Sequence, residues 1–391
     1  MPQSVILSAA RTPVGSFGGA LSTVPAPALG ATAITGALDR AGVEAASVDE
    51  VILGNVVTAG EGQAPARQAA LGAGLPEAVH CMTINKVCGS GMKAVMLADQ
   101  AIRAGDAEVV VAGGMENMSM APFYLAKARY GYGYGNGELI DGLFHDGLRD
   151  AYDGVAMGVA ADACGVSCNV PRERQDAFSI ESYTRAQASV ENGAFAEEIV
   201  PVTIQGRKGD TVVEQDEEPA RTNFDKIPTL RPVFSTDGTV TAANASTIND
   251  GAAALVVASE AWAEANGTTP LARVVASAQH SQAPMEFTTA PIEAVNKVLA
   301  KAGLTLDDID LFEVNEAFAV VALAAQDALG IPSDKLNVRG GSVAVGHPIG
   351  ASGARILTTL LHAMVAQDAT CGLAAICIGG GEATAIIVER D

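Results

Sequence analysis

Two stretches decide the fold when set side by side: residues 85–105, NKVCGSGMKAVMLADQAIRAG, and residues 340–364, GGSVAVGHPIGASGARILTTLLHAM. Each sets a reactive side chain, Cys88 or His347, ahead of a Gly-Ser-Gly or Ala-Ser-Gly turn and an apolar-periodic helix. Upstream of the first lies VDEVILGNV, an apolar strand ending on Asn55. Upstream of the second lies DIDLFEVNEAF, which reaches Asn315. The spacing from Asn55 to Cys88 is 33 residues, and from Asn315 to His347 it is 32. Downstream, each helix leads into a β-rich run that ends in glycines, AEVVVAGG at 107–114 and LAAICIGGG at 373–381. Four features in one order indicate two copies of one α/β unit. Packed together, the copies bring equivalent loops face to face, with Cys88 and His347 expected at matching positions across the seam.

Between the copies the sequence changes character. Residues 119–245 hold RYGYGYGNG, LFHDGLRDAYDG, the helix-like PRERQDAFSIESYTRAQASVENG and the polar QGRKGDTVVEQDEEPARTNFDKIP. This region reads as an inserted lobe of loops and helices. GAAALVVAS at 251–259 then reads as a fully buried strand rejoining the first core. The expected organisation is a first core of residues 1–118 plus 246–268, an insertion of 119–245 and a second core of 269–391.

Composition excludes several classes. With 24 Lys+Arg against 45 Asp+Glu, the net charge of −21 argues against nonspecific nucleic-acid binding. Six cysteines in 391 residues do not make a disulfide scaffold, and without a tight Cys/His cluster no metal is expected. GxGxxG in a strand–turn–helix context and GxxxxGK[ST] are both absent, which disfavours a dinucleotide fold and a P-loop. No continuous apolar run of about 18 residues suggests a membrane span. The opening MPQSVILSAARTPVG reads as a first strand and not as a signal peptide. A cytoplasmic protein is expected.

The candidate chemistry sits at element ends. Cys88, before a helix N-terminus, faces unpaired N–H groups and the positive helix end, which favour thiolate; the alternative is a buried structural cysteine in a glycine-rich turn. His347, between Gly346 and Pro348, occupies a constrained loop where it can accept a proton; alternatively it hydrogen-bonds the loop. Cys377 ends a strand before three glycines and reads either as a core cysteine or as a second thiol able to move protons. Asn315 stands at a strand-to-helix junction, as a polar group of a pocket, as an N-cap, or as both. Arg207, Lys208 and Arg221 are candidate phosphate or adenine partners, or simply solvated surface.

These residues resemble the thiolase family, in particular its biosynthetic acetyl-CoA acetyltransferase type. The likeness runs through NKVCGSGMKA at 85–94, VVAGGMENMSMAP at 110–122, TVTAANASTINDGAAA at 239–254, NEAFA at 315–319, GGSVAVGHPIGASGARI at 340–356 and CIGGGEA at 377–383. It implies the α/β thiolase fold: two duplicated βαβαβαββ core domains in five α-β-α-β-α layers, with an inserted loop domain. It implies ping-pong Claisen condensation of two acetyl-CoA to acetoacetyl-CoA, and the reverse thiolysis, through S-acyl-Cys88. His347 is then the activating base and Cys377 the acid/base at the acetyl methyl carbon. Asn315 holds a water in one oxyanion hole with His347, and the N–H groups of Cys88 and Gly379 form the other. Ser246 resembles the pantetheine-contacting serine and Arg221 a residue near the adenine. Met157 and Phe318, with Ala317 and Leu148, fall among the coenzyme A and pocket contacts. No tightly bound cofactor is implied; coenzyme A and acetyl-CoA are substrates, and the assembly is a homodimer or homotetramer.

The pattern departs at two places. Ala156 stands where the acetoacetyl-specific members carry histidine, and Phe287 where they carry a pocket methionine. A broader-chain 3-ketoacyl-CoA thiolase is therefore the alternative. A non-thiolase condensing enzyme of the same fold would pair its cysteine with two histidines, or with histidine and asparagine, which Cys377 disfavours.

Overall fold

The computed structural model describes residues 2–390. In the first half, β1 (Ser4–Arg11), α1 (Ala26–Ala41), β2 (Glu50–Gly54), α2 (Pro65–Gly72), β3 (His80–Ile84), α3 (Ser90–Ala104) and β4 (Val109–Asn117) run in order. After helices α4 (Met157–Ser167) and α5 (Arg172–Glu191), β5 (Asn249–Ser259) closes this half. The second half repeats the order with β6 (Ala272–Ser281), α6 (Ala290–Ala302), β7 (Leu311–Val314), α7 (Ala319–Leu329), α8 (Ile349–Ala366), β8 (Cys371–Ile378) and β9 (Glu382–Glu389). The counterpart of β3 is reduced to a single parallel bridge between Phe312 and Leu336.

The strands lie in the order β7-β8-β9-β6-β1-β5-β4-β2-β3. The two sheets, expected as separate layers, are thus hydrogen-bonded edge to edge, through Val5 opposite Arg273 and Ile6 opposite Ala272. Alternation along each strand sets the layers. Ile6, Val110, Ala112, Leu255, Ala374, Ile376 and Ile386 point inward and share one core with Met92, Val95, Ile356 and Leu360 of α3 and α8. Val109, Val111 and Val256 point outward onto α1 and α2, while Leu373, Ala375 and Ile387 point outward onto α6. The layers are therefore α1/α2, sheet, α3/α8, sheet, α6.

One helix among the described residues, α8, is long and apolar enough to cross a membrane by length and composition, with mean hydropathy 1.3. This qualifies the sequence expectation, because a helix tolerates the polar interruptions that break a continuous run. The helix is 83% buried between the two sheets, so it is a core helix.

The duplication holds for the units, but the residue matching shifts. Asp49 accepts the N–H groups of Glu108 and Val109 at the start of β4, and Asp310 accepts those of Thr370 and Cys371 at the start of β8. Matching these aspartates sets Gly54, not Asn55, against Asn315. The helices give the same lesson. A Cβ on Gly91 would lie 2.8 Å from Ala354 N, and one on Gly353 would lie 2.5 Å from Met92 N. This reciprocal contact pairs Gly91 with Gly353, and so Cys88 with Gly350, not with His347. In this register His347 stands three residues before the counterpart of Cys88, because α8 begins three residues earlier than α3 does. The would-be second site is closed: a Cβ on Gly54 would come within 2.5 Å of Ser90 Cβ and 2.8 Å of Gly350 O.

Candidate functional site

The backbone contact at Gly91 and Gly353 brings the N-termini of α3 and α8 together, because only glycine lets two helix backbones approach so closely. Cys88 consequently packs on a cluster of Val56, Val57, Met118, Leu143 and Ile349, drawn from both halves. Leu148 packs on the same cluster. The turn before α3 is a forced one. Val87 adopts φ of 46°, an uncommon conformation for a β-branched residue. It is held by Ser90, whose Oγ accepts the Lys86 N–H at 2.8 Å and donates to Val87 O at 2.7 Å.

Burial governs the thiol. It pushes Cys88 up to about 11, against the opposing hydrogen bonds of the Gly379 and Cys88 N–H groups. The expectation of a resting thiolate at the helix N-terminus is thereby corrected: the apolar cluster outweighs the N–H groups. Those two N–H groups both act on the sulfur. Gly379 also faces Met157, whose Cε would lie 3.4 Å from an added Cβ.

His347 is buried, and burial together with Arg355 holds it down to about 3. Its tautomer follows from its partners. Ser352 Oγ donates to Pro348 O at 2.9 Å, so it accepts from His347 Nδ1 at 2.6 Å. Nδ1 therefore carries the proton, and Nε2 presents a lone pair without any partner. The loop is fixed from behind. Gly346, at φ 111°, leaves room for the Asn249 side chain, whose Oδ1 accepts the His347 N–H at 2.8 Å.

Asn315 is buried, its backbone N–H donating to Ala375 O at 2.9 Å. Its Oδ1 accepts the Ser342 hydroxyl at 2.6 Å, and its Nδ2 has no partner. It is not an N-cap: Phe318 holds that position before α7. Cys377 is fully buried, and burial first, then the neighbouring Cys88, pushes its thiol well up. The two thiols are thus electrostatic neighbours. Cys377 shares an apolar cluster with Phe287, Ala317, Phe318 and Cys164, and Met157 packs against it. Phe318 meets Phe234 edge to face at 6.2 Å. Ser246 joins this wall by donating its N–H and hydroxyl to Ala317 O, at 3.0 and 2.9 Å. Ala156 N-caps α4 with no side-chain hydrogen bond. Arg221 stands apart, exposed on the turn Pro219–Arg221. Among the described residues no cluster of His, Cys, Asp or Glu could hold a metal.

One buried carboxylate escaped the sequence reading. Glu116, at the end of β4, accepts the N–H groups of Val56, Val57 and Gly350 and the amide of Asn55, all between 2.9 and 3.1 Å. It ties the loop after β2 to the N-terminus of α8. Burial lifts it to about 7 even so. An acidic residue within the apolar run VVVAGGMEN was the available signal.

A duplicated α/β fold whose seam holds two thiols, an imidazole and an amide defines a class of acyl-transfer enzymes. The chain belongs to the thiolase family: residues 4–261 match the thiolase N-terminal domain and residues 268–390 the thiolase C-terminal domain. It is 53% identical over 392 residues to the acetyl-CoA acetyltransferase of Escherichia coli, covering 100% of both chains. It is 51% identical over 387 residues to that of Schizosaccharomyces pombe, covering 98% of both. Among solved structures, the Acat5 thiolase from Ascaris suum in complex with coenzyme A superposes with a TM-score of 0.95, at 43% identity and full coverage of both chains.

Proposed function

We propose that this chain is an acetyl-CoA C-acetyltransferase, which condenses two acetyl-CoA to acetoacetyl-CoA and coenzyme A and runs the thiolysis in reverse. The observation that carries this reading is the pair of buried, unpartnered polar atoms, Asn315 Nδ2 and His347 Nε2, at a site with two neighbouring thiols. Buried polar atoms are normally paired, so an orphaned donor and an orphaned acceptor mark a place kept for substrate. The named relatives and the coenzyme A complex of the Ascaris thiolase support the substrate class.

In thiolysis His347 Nε2 takes the Cys88 proton as the sulfur attacks the 3-keto carbon of acetoacetyl-CoA. Once protonated, Nε2 becomes a donor, and with Asn315, directly or through a water, it stabilises oxygen charge. The C2–C3 bond breaks, its electron pair forms the enolate of acetyl-CoA, and Cys377 gives its proton to C2. Acetyl-CoA leaves acetyl-Cys88 behind. The Cys377 thiolate then takes the proton of an incoming coenzyme A thiol, which attacks the acetyl carbon. The tetrahedral oxyanion lies against the Cys88 and Gly379 N–H groups, and the leaving Cys88 sulfur recovers its proton from His347. Two thiols are needed because one is acylated while the other moves a proton. Ser246, Ala317, Phe318, Met157 and Leu148 line the approach for the pantetheine, and Arg221 reaches toward the adenine. The high thiol and low imidazole keep both groups neutral at rest, and the charge separates only as bond-making begins.

Ala156 favours a second reading, a 3-ketoacyl-CoA thiolase of broader chain length, because it contributes only a methyl group where histidine would fill space. The test is thiolysis of acetoacetyl-CoA and 3-ketooctanoyl-CoA side by side, with a Cys88→Ser control. Much faster C4 cleavage supports the first reading; equal or faster C8 cleavage supports the second. No cleavage of either by folded protein overturns both.

We assign the chain to the cytoplasm, since all six cysteines are free, as in a reducing compartment. Self-association is supported by the sheet-edge strand β3, with Met82 exposed, and by the exposed Phe123, Leu125, Tyr130, Tyr134 and Leu139. These features suit a homodimer or a homotetramer.

A further inference from the structure

We infer that Arg355 and Ser342 are positioning residues that fix the Asn315 amide with its NH2 toward the substrate, and so serve the carbon–carbon step specifically. The inference rests on the reading of Asn315 and His347 as the donors to the enolate oxygen.

An amide side chain presents a donor or an acceptor according to how it is turned, and its neighbours decide. Arg355 has only donors to offer. Its Nη2 donates to Ser342 Oγ at 2.7 Å, so one lone pair of that hydroxyl is occupied. The single hydroxyl proton then points onward, to the atom of Asn315 at 2.6 Å, which must be the acceptor Oδ1. The amide NH2 is left facing away from Ser342, without a partner. Turning the amide over would make NH2 face Ser342 and strand the hydroxyl proton. The relay thus sets the direction of three groups in series, all buried.

The fold itself does not require a buried cation at this place. The helix pairing that matches Gly91 with Gly353 matches Lys93 with Arg355. Lys93 is half-buried, whereas Arg355 is 2% exposed. Nor is Arg355 seated as an ion-pair partner would be. Its Nε has no hydrogen-bond partner, and both oxygens of the nearby buried Glu313 have none. The one side-chain hydrogen bond shown for Arg355 is the one aimed at Ser342. Burial first, and then the same guanidinium, holds His347 in the neutral form that must accept the Cys88 proton. The groups facing Arg355 are Glu313, Arg11, Glu198 and Glu316, and the charged group facing His347 is Arg355.

The two half-reactions separate this role from a structural one. Exchange of labelled coenzyme A into acetyl-CoA passes through acetyl-Cys88 and uses the Cys88 and Gly379 N–H groups. Cleavage of acetoacetyl-CoA also needs the enolate donors. Ser342→Ala is expected to slow cleavage about tenfold at unchanged KM, a fraction of the loss from removing an oxyanion donor outright. Exchange should stay within about twofold. Ser342→Thr, which keeps the hydroxyl, should restore cleavage. In an Asn315→Ala background Ser342→Ala should be silent, since the relay then orients nothing. A parallel fall in exchange and cleavage, or no fall in either, overturns the inference. Loss of exchange and cleavage in the wild-type protein would instead overturn the functional reading, and the inference with it. Arg355→Lys, which keeps the charge, should leave the acidic limb of the exchange rate in place, and Arg355→Gln should move it to higher pH. A folded Arg355→Gln protein that keeps the wild-type ratio of cleavage to exchange removes the arginine from the proposal, and the serine pair of variants decides the rest even where Arg355→Gln does not fold.

Discussion

Gly353→Ala tests whether the helix crossing sets the chemistry. The added Cβ would lie 2.5 Å from Met92 N and 2.8 Å from Met92 Cβ, both within the facing helix. Ordinary contact begins at 3.4 Å, so α3 and α8 must part by roughly 0.9 Å. Neither atom belongs to a flexible side-chain end, so the shift cannot be absorbed locally. Overpacking of this kind costs about 1–3 kcal/mol. Alanine recovers up to about 1 kcal/mol of helix propensity over glycine. The net loss of stability is therefore modest, about 0–2 kcal/mol. Activity should fall much further, because parting the helices parts Cys88 from His347. A misplacement near 1 Å costs about a hundredfold in rate. Gly91→Ala, with its nearest contact at 2.8 Å, should show the same pattern more weakly. Urea unfolding would give the stability change, and acetoacetyl-CoA thiolysis per mole of folded protein the rate. A variant that keeps the wild-type rate, or loses it only in proportion to the unfolded fraction, would falsify the claim that this crossing aligns the site.

Three other outcomes are expected. Alkylation of Cys88 by iodoacetamide, read by peptide mass, should rise about tenfold per pH unit through pH 9 toward the thiol value of about 11; a plateau by pH 8 would mean a resting thiolate. Asn315→Ala should cost about 10²–10³ in the cleavage rate with little effect on coenzyme A exchange, and equal losses in the two would remove it from the enolate site. Arg11→Met should destabilise the fold by about 3–5 kcal/mol in denaturant unfolding, because it strands the fully buried Asp216 carboxylate, now paired at 2.7 Å, and leaves Glu198 only the longer 3.3 Å ion pair with Arg339; a cost below about 1 kcal/mol would show that water reaches them.

Much of the site was legible in the chain. Cys88, His347, Cys377 and Asn315 were each marked by their place at the end of a strand or the start of a helix, and the structure sets the two thiols beside one another. Serine and glycine around Cys88 signalled the turn that Val87 and Ser90 build. The fold shifts the register between the copies from the one that the spacing suggests, by one residue at the strand and three at the helix. The two asparagines match by spacing alone, while Asp49 and Asp310, which cap the same ladder position, show their equivalence only in the fold. Glu116 is not legible in the sequence because a lone acid in an apolar run has no visible partner until Val56, Val57 and Gly350 come to it through the fold.

The sequence by itself determined the doubled α/β unit, the periodic apolar faces and the residue types able to carry an acyl group and move protons. These follow from local spacing, which a linear chain displays. Tertiary structure alone decided the electrostatics: a thiol raised and an imidazole lowered by burial, an amide turned by Ser342 and Arg355, and a second, symmetric site closed by Gly54 against Ser90. Each depends on which groups distant in the chain exclude water from one another, and desolvation has no expression in the order of residues along a chain.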